Sequence, residues 1–192
     1  MASSPSKNDL RTAALARRDA LSVEQRVAAA QAIASRGLPV EIKRGAVVAG
    51  YSPIRSEIDP TPLMRTLAAQ GARLALPAVM ARGKSLAFRA WSPEDKLTLG
   101  PLGILEPSPA AADLVPDIVL VPLAAFDRAG HRIGYGAGHY DYTMAHLRKS
   151  RQVLAIGIAF AVQEIPFVPT SDHDARLDLV LTEDETIDFR SF

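Results

Sequence analysis

The 192-residue chain has no cysteine. Disulfide frameworks, thiolate zinc sites and cysteine nucleophiles are therefore excluded. It also lacks an excess of either charge: 22 Lys+Arg face 21 Asp+Glu, a formal net of +1. A domain built to hold a nucleic-acid backbone carries a marked basic surplus, so that class is set aside. No apolar run approaches the roughly 18 residues of a membrane span. The longest, Val153–Val162 and Ile118–Phe126, are far shorter, and Pro122 interrupts the second. The amino terminus has no apolar signal-peptide core, and Asp9 and Asp19 weigh against an Arg-rich transit peptide. The expectation is a cytoplasmic protein with small-molecule ligands and no nucleic-acid, membrane or obligate protein partner.

What is present fits an ordinary globular domain, with 48% hydrophobic and 22% charged residues. One domain over residues 1–192 is expected, with residues 1–6 as a flexible start. Ser6 with Asp9 forms a capping-box pattern ahead of Leu10, Ala14 and Leu21, and Ser22 with Gln25 opens a second helix that ends at Gly37. The period then changes. Residues 46–51 and 73–79 read as strands, and 85–91 alternates like a hairpin partner. Asp59 is placed to cap a helix running to Gly71. Residues 117–121 and 153–158 are continuous apolar runs, as expected of strands covered on both faces. A helix over 140–149 and a short strand over 179–182 complete the pattern. Strand–helix alternation of this kind predicts a three-layer α/β/α domain with a mostly parallel central sheet.

The segment with most chemical content runs from Phe126 to Asp141, FDRAGHRIGYGAGHYD. Glycines alternate at 134, 136 and 138, where backbone can take positive φ and approach a ligand closely. Such a turn ahead of a helix is a natural phosphate cradle, although a tight connection explains a bare glycine pattern equally well. A dinucleotide fingerprint would need glycine where His139 stands, and the Gly-Lys-Ser/Thr of a P-loop is absent.

Four elements in order carry a more specific likeness. They are Lys7 and Arg11 on the first helix; Tyr51-Ser-Pro to Glu57-Ile-Asp59; Pro116 to Asp141; and Gly157-Ile-Ala-Phe through His173-Asp174 and Leu177-Asp178 to Glu183. Together they resemble the 5-formyltetrahydrofolate cyclo-ligase (5,10-methenyltetrahydrofolate synthetase) family. The likeness covers residues 7–188 and departs from the family pattern at His139 and Tyr142, where Tyr and Arg are usual.

The resemblance implies an ATP- and Mg²⁺-dependent ligase of folate metabolism. The γ-phosphoryl group of ATP would pass to the formyl oxygen, N10 would attack the activated carbon, and phosphate would leave as the ring closes. Lys7 and Arg11 would hold ATP phosphates, together with Arg132, Gly134, Gly136, Gly138 and Tyr140. Arg132 and Tyr140 would act in catalysis. Ser52, Glu57, Tyr135 and His139 would face the folate, and Asp141 with Asp178 would hold the metal. Each has a plainer reading: a solvated basic face for Lys7 and Arg11, a loop cation for Arg132, a turn charge for Glu57, a helix cap for Asp141, a strand-opening polar residue for Asp178. Arg18 shares the basic stripe, within roughly 40° of Lys7 and Arg11 on a helical wheel, and is read as a bystander. Trp91 is read as a packing residue and His173–Asp174 as the mark of a loop boundary. A folate- or nucleotide-binding homologue without catalysis is the rival expectation, supported by His139 and Tyr142.

The balanced total charge conceals a gradient. Residues 1–44 carry a net +4, residues 45–160 a net +3 and residues 161–192 a net −6. A basic first helix meeting an acidic tail would close a polyphosphate–metal site, an arrangement that requires Lys7 to lie near Asp178.

Overall fold

The computed structural model describes residues 5–81 and 83–190. Helices α1 (Lys7–Asp19) and α2 (Val23–Arg36) lead into strand β1 (Val47–Ala49), helix α3 (Thr61–Ala69) and strands β2 (Arg73–Ala78) and β3 (Ala87–Ala90). Two short hairpin strands, β4 (Thr98–Leu99) and β5 (Leu105–Glu106), precede β6 (Ile118–Pro122). A second hairpin, β7 (Ala125–Phe126) and β8 (Arg132–Ile133), leads to α4 (His139–Leu147), and β9 (Leu154–Ile158), β10 (Leu179–Leu181) and β11 (Thr186–Asp188) follow.

The main sheet has seven strands in the order β11-β10-β9-β6-β1-β2-β3. Its five inner strands are parallel, and the two edge strands pair antiparallel, β3 on β2 and β11 on β10. Alternation along the strands separates two cores. Val48, Leu76, Leu120 and Ile156 face Ile33 of α2 and Leu63, Met64 and Leu67 of α3. Val47, Ala49, Val119, Val121 and Ala155 face Met144 and Leu147 of α4. This is the expected α/β/α sandwich. Each fully buried Leu, Ile or Met contributes about 1.5–3 kcal/mol through loss of apolar surface from water.

Helix α1 lies outside the two covering layers. Leu10, Ala14 and Leu15 pack on Ala124, Ala125 and Ile133 of the β7–β8 hairpin and on Ile165 and Val168, a third small core at the carboxyl edge of the sheet. Both capping boxes form, Ser6 with Asp9 and Ser22 with Gln25. Residues 1–4 of the expected flexible start lie outside the described residues, but Ser6 is fixed as a cap. Asp59 is not the cap of α3: Pro60 takes that position, and the Asp59 carboxylate accepts from the Thr61 N–H at 2.9 Å from one residue upstream. Among the described residues no helix is long and apolar enough to cross a membrane.

Candidate functional site

Strands β1 and β6 are neighbours, yet the chain leaves β1 towards β2 on one side and continues from β6 to β9 on the other. Loops leaving the two strands diverge at such a reversal and open a crevice beyond their carboxyl ends. Tyr51 and Ser52 follow β1, Pro122 closes β6, and residues 134–140 form the opposite wall of a cavity of about 220 Å³. Leu102, Ile104 and Glu106 of the β4–β5 hairpin cover it from a third side. Glu106 is buried and accepts from the Val79 N–H at 3.0 Å, tying that hairpin to the end of β2.

The glycine segment is a built wall rather than a slack connection. Gly136 (φ +93°) and Gly138 (φ +69°) occupy the left-handed region, which a side chain would strain; Gly134 does not, contrary to the expectation for all three. Arg11 Nε donates to the Gly134 carbonyl at 2.7 Å, so α1 holds the start of the loop. Gly138 is the N-cap of α4 and supplies no side-chain bond, leaving that terminus without a capping group. The first N–H groups of a helix have no intrahelical partner and carry its positive end, so they suit an anion.

Arg132 is buried on β8 and reaches both sides of the site. Nη2 donates to Asp141 Oδ1 at 2.7 Å and Nη1 donates to the Ala175 carbonyl. Asp141 Oδ1 also accepts from the Ala175 N–H at 3.0 Å, so the carboxylate is anchored across the loop as well as standing in the first turn of α4. Lys7 Nζ donates to Asp174 Oδ2 at 2.8 Å. Burial alone would raise the Asp174 carboxyl. The bonds from Lys7 and from the Ser171 N–H outweigh it and hold the group below the usual carboxylate value.

Lys7 thus pairs with Asp174, and the structure does not bring Asp178 to this cluster. Asp178 opens β10 at the amino edge of the sheet, where its carboxylate accepts from the Ala155 N–H at 2.7 Å and from Arg148 at 2.6 Å. It borders a different cavity together with Asp117 and Arg151, which also precede strands. The closure read from the charge gradient required Lys7 near Asp178 and does not form in that way; Lys7 pairs with Asp174, another residue of the acidic tail. His173–Asp174 is more than a loop marker.

On the folate side of the expected site, Glu57 and Tyr135 both line the cavity. Burial pushes the Glu57 carboxyl up; the Ile54 N–H, at 2.8 Å, together with the Tyr135 hydroxyl and the charges of Arg18 and Arg55, opposes that shift without cancelling it. Burial and the Glu57 charge likewise raise the Tyr135 phenol. Ser52 lines the cavity but donates to the Leu105 carbonyl at 2.7 Å, which makes it a fastening for the covering hairpin. His139 is buried, with Nδ1 3.0 Å from the Lys84 carbonyl and Nε2 without a hydrogen-bond partner among the described residues. Tyr140 also lines the cavity and packs against the α4 core; burial raises its phenol strongly. Tyr142 is exposed beside Gly138, so the fixed cation at Asp141 is Arg132 and not a residue at position 142. Trp91 is partly buried against the α2–α3 core, as its packing role requires.

Two residues that sequence reasoning passed over stand out. Arg18 is almost wholly buried and bonded to Tyr135 and Ser56, so it is no bystander. Its position on the Lys7–Arg11 stripe was the available signal. Asp127, on the turn before β8, is buried among backbone N–H groups and fixes the hairpin that carries Arg132.

Among the described residues no three His, Asp or Glu side chains cluster as a self-sufficient metal site. Mg²⁺ does not need one, because it is usually held by one or two carboxylates plus substrate phosphates. Asp141, bonded to the Ala175 N–H, and Asp174, the residue before it in the chain, are each paired with a cation and fit that pattern as oxygen donors.

The model of the 5-formyltetrahydrofolate cyclo-ligase family matches residues 3–183. A 5-formyltetrahydrofolate cyclo-ligase of Mycolicibacterium smegmatis is 36% identical over 92% of this chain and 93% of its own length. One from Escherichia coli is 31% identical over 86% of this chain and 94% of its own. Among solved structures, the 5,10-methenyltetrahydrofolate synthetase of Aquifex aeolicus superposes with a TM-score of 0.77 at 32% identity, covering 96% of this chain and 93% of the other.

Proposed function

The chain belongs to the 5-formyltetrahydrofolate cyclo-ligase family, and from that premise we propose that the cavity beyond β1 and β6 performs the family's ATP-dependent cyclisation. The observation that carries the reading is the meeting of Lys7, Arg11, Arg132, Asp141 and Asp174 around the glycine wall of a cavity whose other side holds Glu57 and Tyr135.

The substrate is an unreactive formamide whose oxygen leaves poorly. Phosphorylation of that oxygen by ATP gives an iminium phosphate. N10 then bonds to the activated carbon and loses its proton, and the carbon–oxygen bond breaks to release phosphate. The products are 5,10-methenyltetrahydrofolate, ADP and phosphate, with no covalent protein intermediate. Positioning and charge neutralisation dominate phosphoryl transfers of this kind.

Each residue has a role by position. The uncapped start of α4 and the N–H groups of residues 136–138 cradle phosphate oxygens, and Lys7 turns from Asp174 to the polyphosphate. Arg11 keeps the loop in place and Arg132 lies against the group in transfer. Asp141 and Asp174 hold Mg²⁺, which supplies charge neutralisation on the phosphates when bound. Tyr140 walls the junction of the two ligands, while Glu57, Tyr135 and the open Nε2 of His139 face the pterin N–H and carbonyl groups.

Purified protein with Mg-ATP is expected to convert 5-formyltetrahydrofolate to the methenyl form, followed by the rise in its near-ultraviolet absorbance. A folded sample that binds folate in calorimetry but neither cyclises it nor releases phosphate would replace this reading with that of a binding homologue. Lys7→Gln is expected to raise KM for ATP about tenfold to hundredfold, the worth of one hydrogen bond to a charged group, with KM for the folate unchanged. Steady-state kinetics with each substrate varied in turn checks it.

A further inference from the structure

Arg18 is the largest fully buried side chain among the described residues, with 1% of its surface exposed. Burying a guanidinium costs several kcal/mol unless partners replace its water. One neighbouring acid, Asp19, is 3.8 Å away and 60% exposed, so solvent screens it. Ser56, whose hydroxyl donates to the Asp19 carboxylate, links that acid to Arg18, and the Tyr135 hydroxyl meets the guanidinium from the cavity wall. Nε donates to Ser56 Oγ at 2.9 Å, Nη1 donates to the Tyr135 hydroxyl, and the guanidinium carbon stands 5.8 Å from the centre of the Tyr135 ring.

A phenol has one proton and acceptor lone pairs. Arg18 occupies the acceptor side of Tyr135, so the hydroxyl proton is left for another acceptor. The carboxylate beside it is Glu57, itself fixed by the Ile54 N–H. Cation, hydroxyl and anion stand in a row from α1 into the cavity.

We propose that Arg18 is a positioning residue for the folate: through Tyr135 it orients the Glu57 carboxylate that the pterin meets. The proposal rests on the assignment of Glu57 and Tyr135 to the folate side of the cavity. It assigns a role to a residue on the helix whose Lys7 is proposed to hold the polyphosphate.

The charged and titratable groups around Glu57 are Arg18 from α1, Arg55 from its own turn, Tyr51 after β1, and Tyr135 and Tyr140 from the glycine wall. Burial already raises the carboxyl, and Arg18 is one of the two cations opposing it. Without Arg18 the folded value rises further. Glu57 is then charged only at higher pH, and the acid limb of kcat/KM for the folate moves the same way.

Arg18→Met, Arg18→Lys and Tyr135→Phe test this, with folding checked by circular dichroism and thermal melting. Arg18→Met is expected to raise KM for the folate about tenfold, the size of one charge-assisted hydrogen bond, and to shift the acid limb upward. KM for ATP stays, and Arg18→Lys recovers part of both effects. If Arg18→Met fails to fold, Tyr135→Phe decides, because it breaks the same row in its middle and is expected to give the same upward shift. A folded Arg18→Met with wild-type folate KM and acid limb overturns the proposal, as does an unshifted limb in Tyr135→Phe. Glu57→Gln separates the premise from the inference. If it leaves folate KM unchanged, the folate assignment itself is wrong; if it raises KM while folded Arg18→Met does not, only the role of Arg18 is lost.

Discussion

Asp141→Asn is expected to lower kcat by about 10²–10³-fold, the range for loss of one preorganised electrostatic contact to a transition state, with the fold retained. The substitution keeps an oxygen where Arg132 Nη2 and the Ala175 N–H now donate to Oδ1. Those two bonds, one from each side of the site, hold the loop at 175 against α4, and an amide oxygen can continue to accept both. What the variant loses is the negative charge. Asp141 stands in the first turn of α4, next to the glycine wall proposed to hold the phosphates. In the resting protein its charge is matched by Arg132; in the proposed function it would be one of two carboxylates for the metal when Mg-ATP is bound. The deficit is therefore expected in kcat and in the Mg²⁺ concentration needed for half-maximal rate, and not in KM for the folate. Kinetics across a Mg²⁺ titration, alongside a melting curve, measure both. A folded variant with the wild-type rate and Mg²⁺ requirement would remove the metal role from Asp141.

The parts of this molecule that sequence made visible are those whose residues obey a long-range pattern. β6 and β9 are buried on both faces and leave uninterrupted apolar runs, and α1 and α2 carry capping boxes that form as written. The hairpins β4–β5 and β7–β8 have two residues per strand, too few for any periodicity, and their pairing depends on what lies beneath them. The same limit applies to the choice between two carboxylates for the proposed metal site. Asp174 and Asp178 lie four residues apart on one acidic tail, and nothing in the local pattern says which end of the sheet each reaches. The answer depends on the chain entering β10 at Leu179: Asp178 is thereby left at the amino edge, while Asp174 remains on the loop that comes back to α1. Arg18 was misplaced for a related reason. A helical wheel gives its direction, but not that Tyr135 and Ser56 wait on that side with no water between.

Asp127→Ala is expected to destabilise the protein by about 3 kcal/mol, within the range for leaving buried hydrogen-bonding groups unpaired. Asp127 is 2% exposed, and its two oxygens are shared among three backbone donors. Oδ1 accepts from the Ala129 and His131 N–H groups, each at 3.0 Å, and Oδ2 accepts from the Val168 N–H at 2.9 Å. The His131 ring adds Nδ1 at 3.2 Å from Oδ2. After truncation Ala129 and His131, near the surface, can turn to water. Val168 cannot, because it is fully buried in the core beneath α1, and most of the cost arises there. Chemical denaturation with an unchanged m-value measures the loss; a change below 1 kcal/mol would show that the N–H groups find other partners. The consequence reaches the chemistry through geometry. Asp127 shapes the turn from β7 into β8, β8 carries Arg132, and Arg132 bridges Asp141 to the loop at Ala175. A variant still folded at low temperature is therefore expected to turn the folate over more slowly, since the loosened hairpin displaces Arg132 from Asp141 and the Ala175 carbonyl.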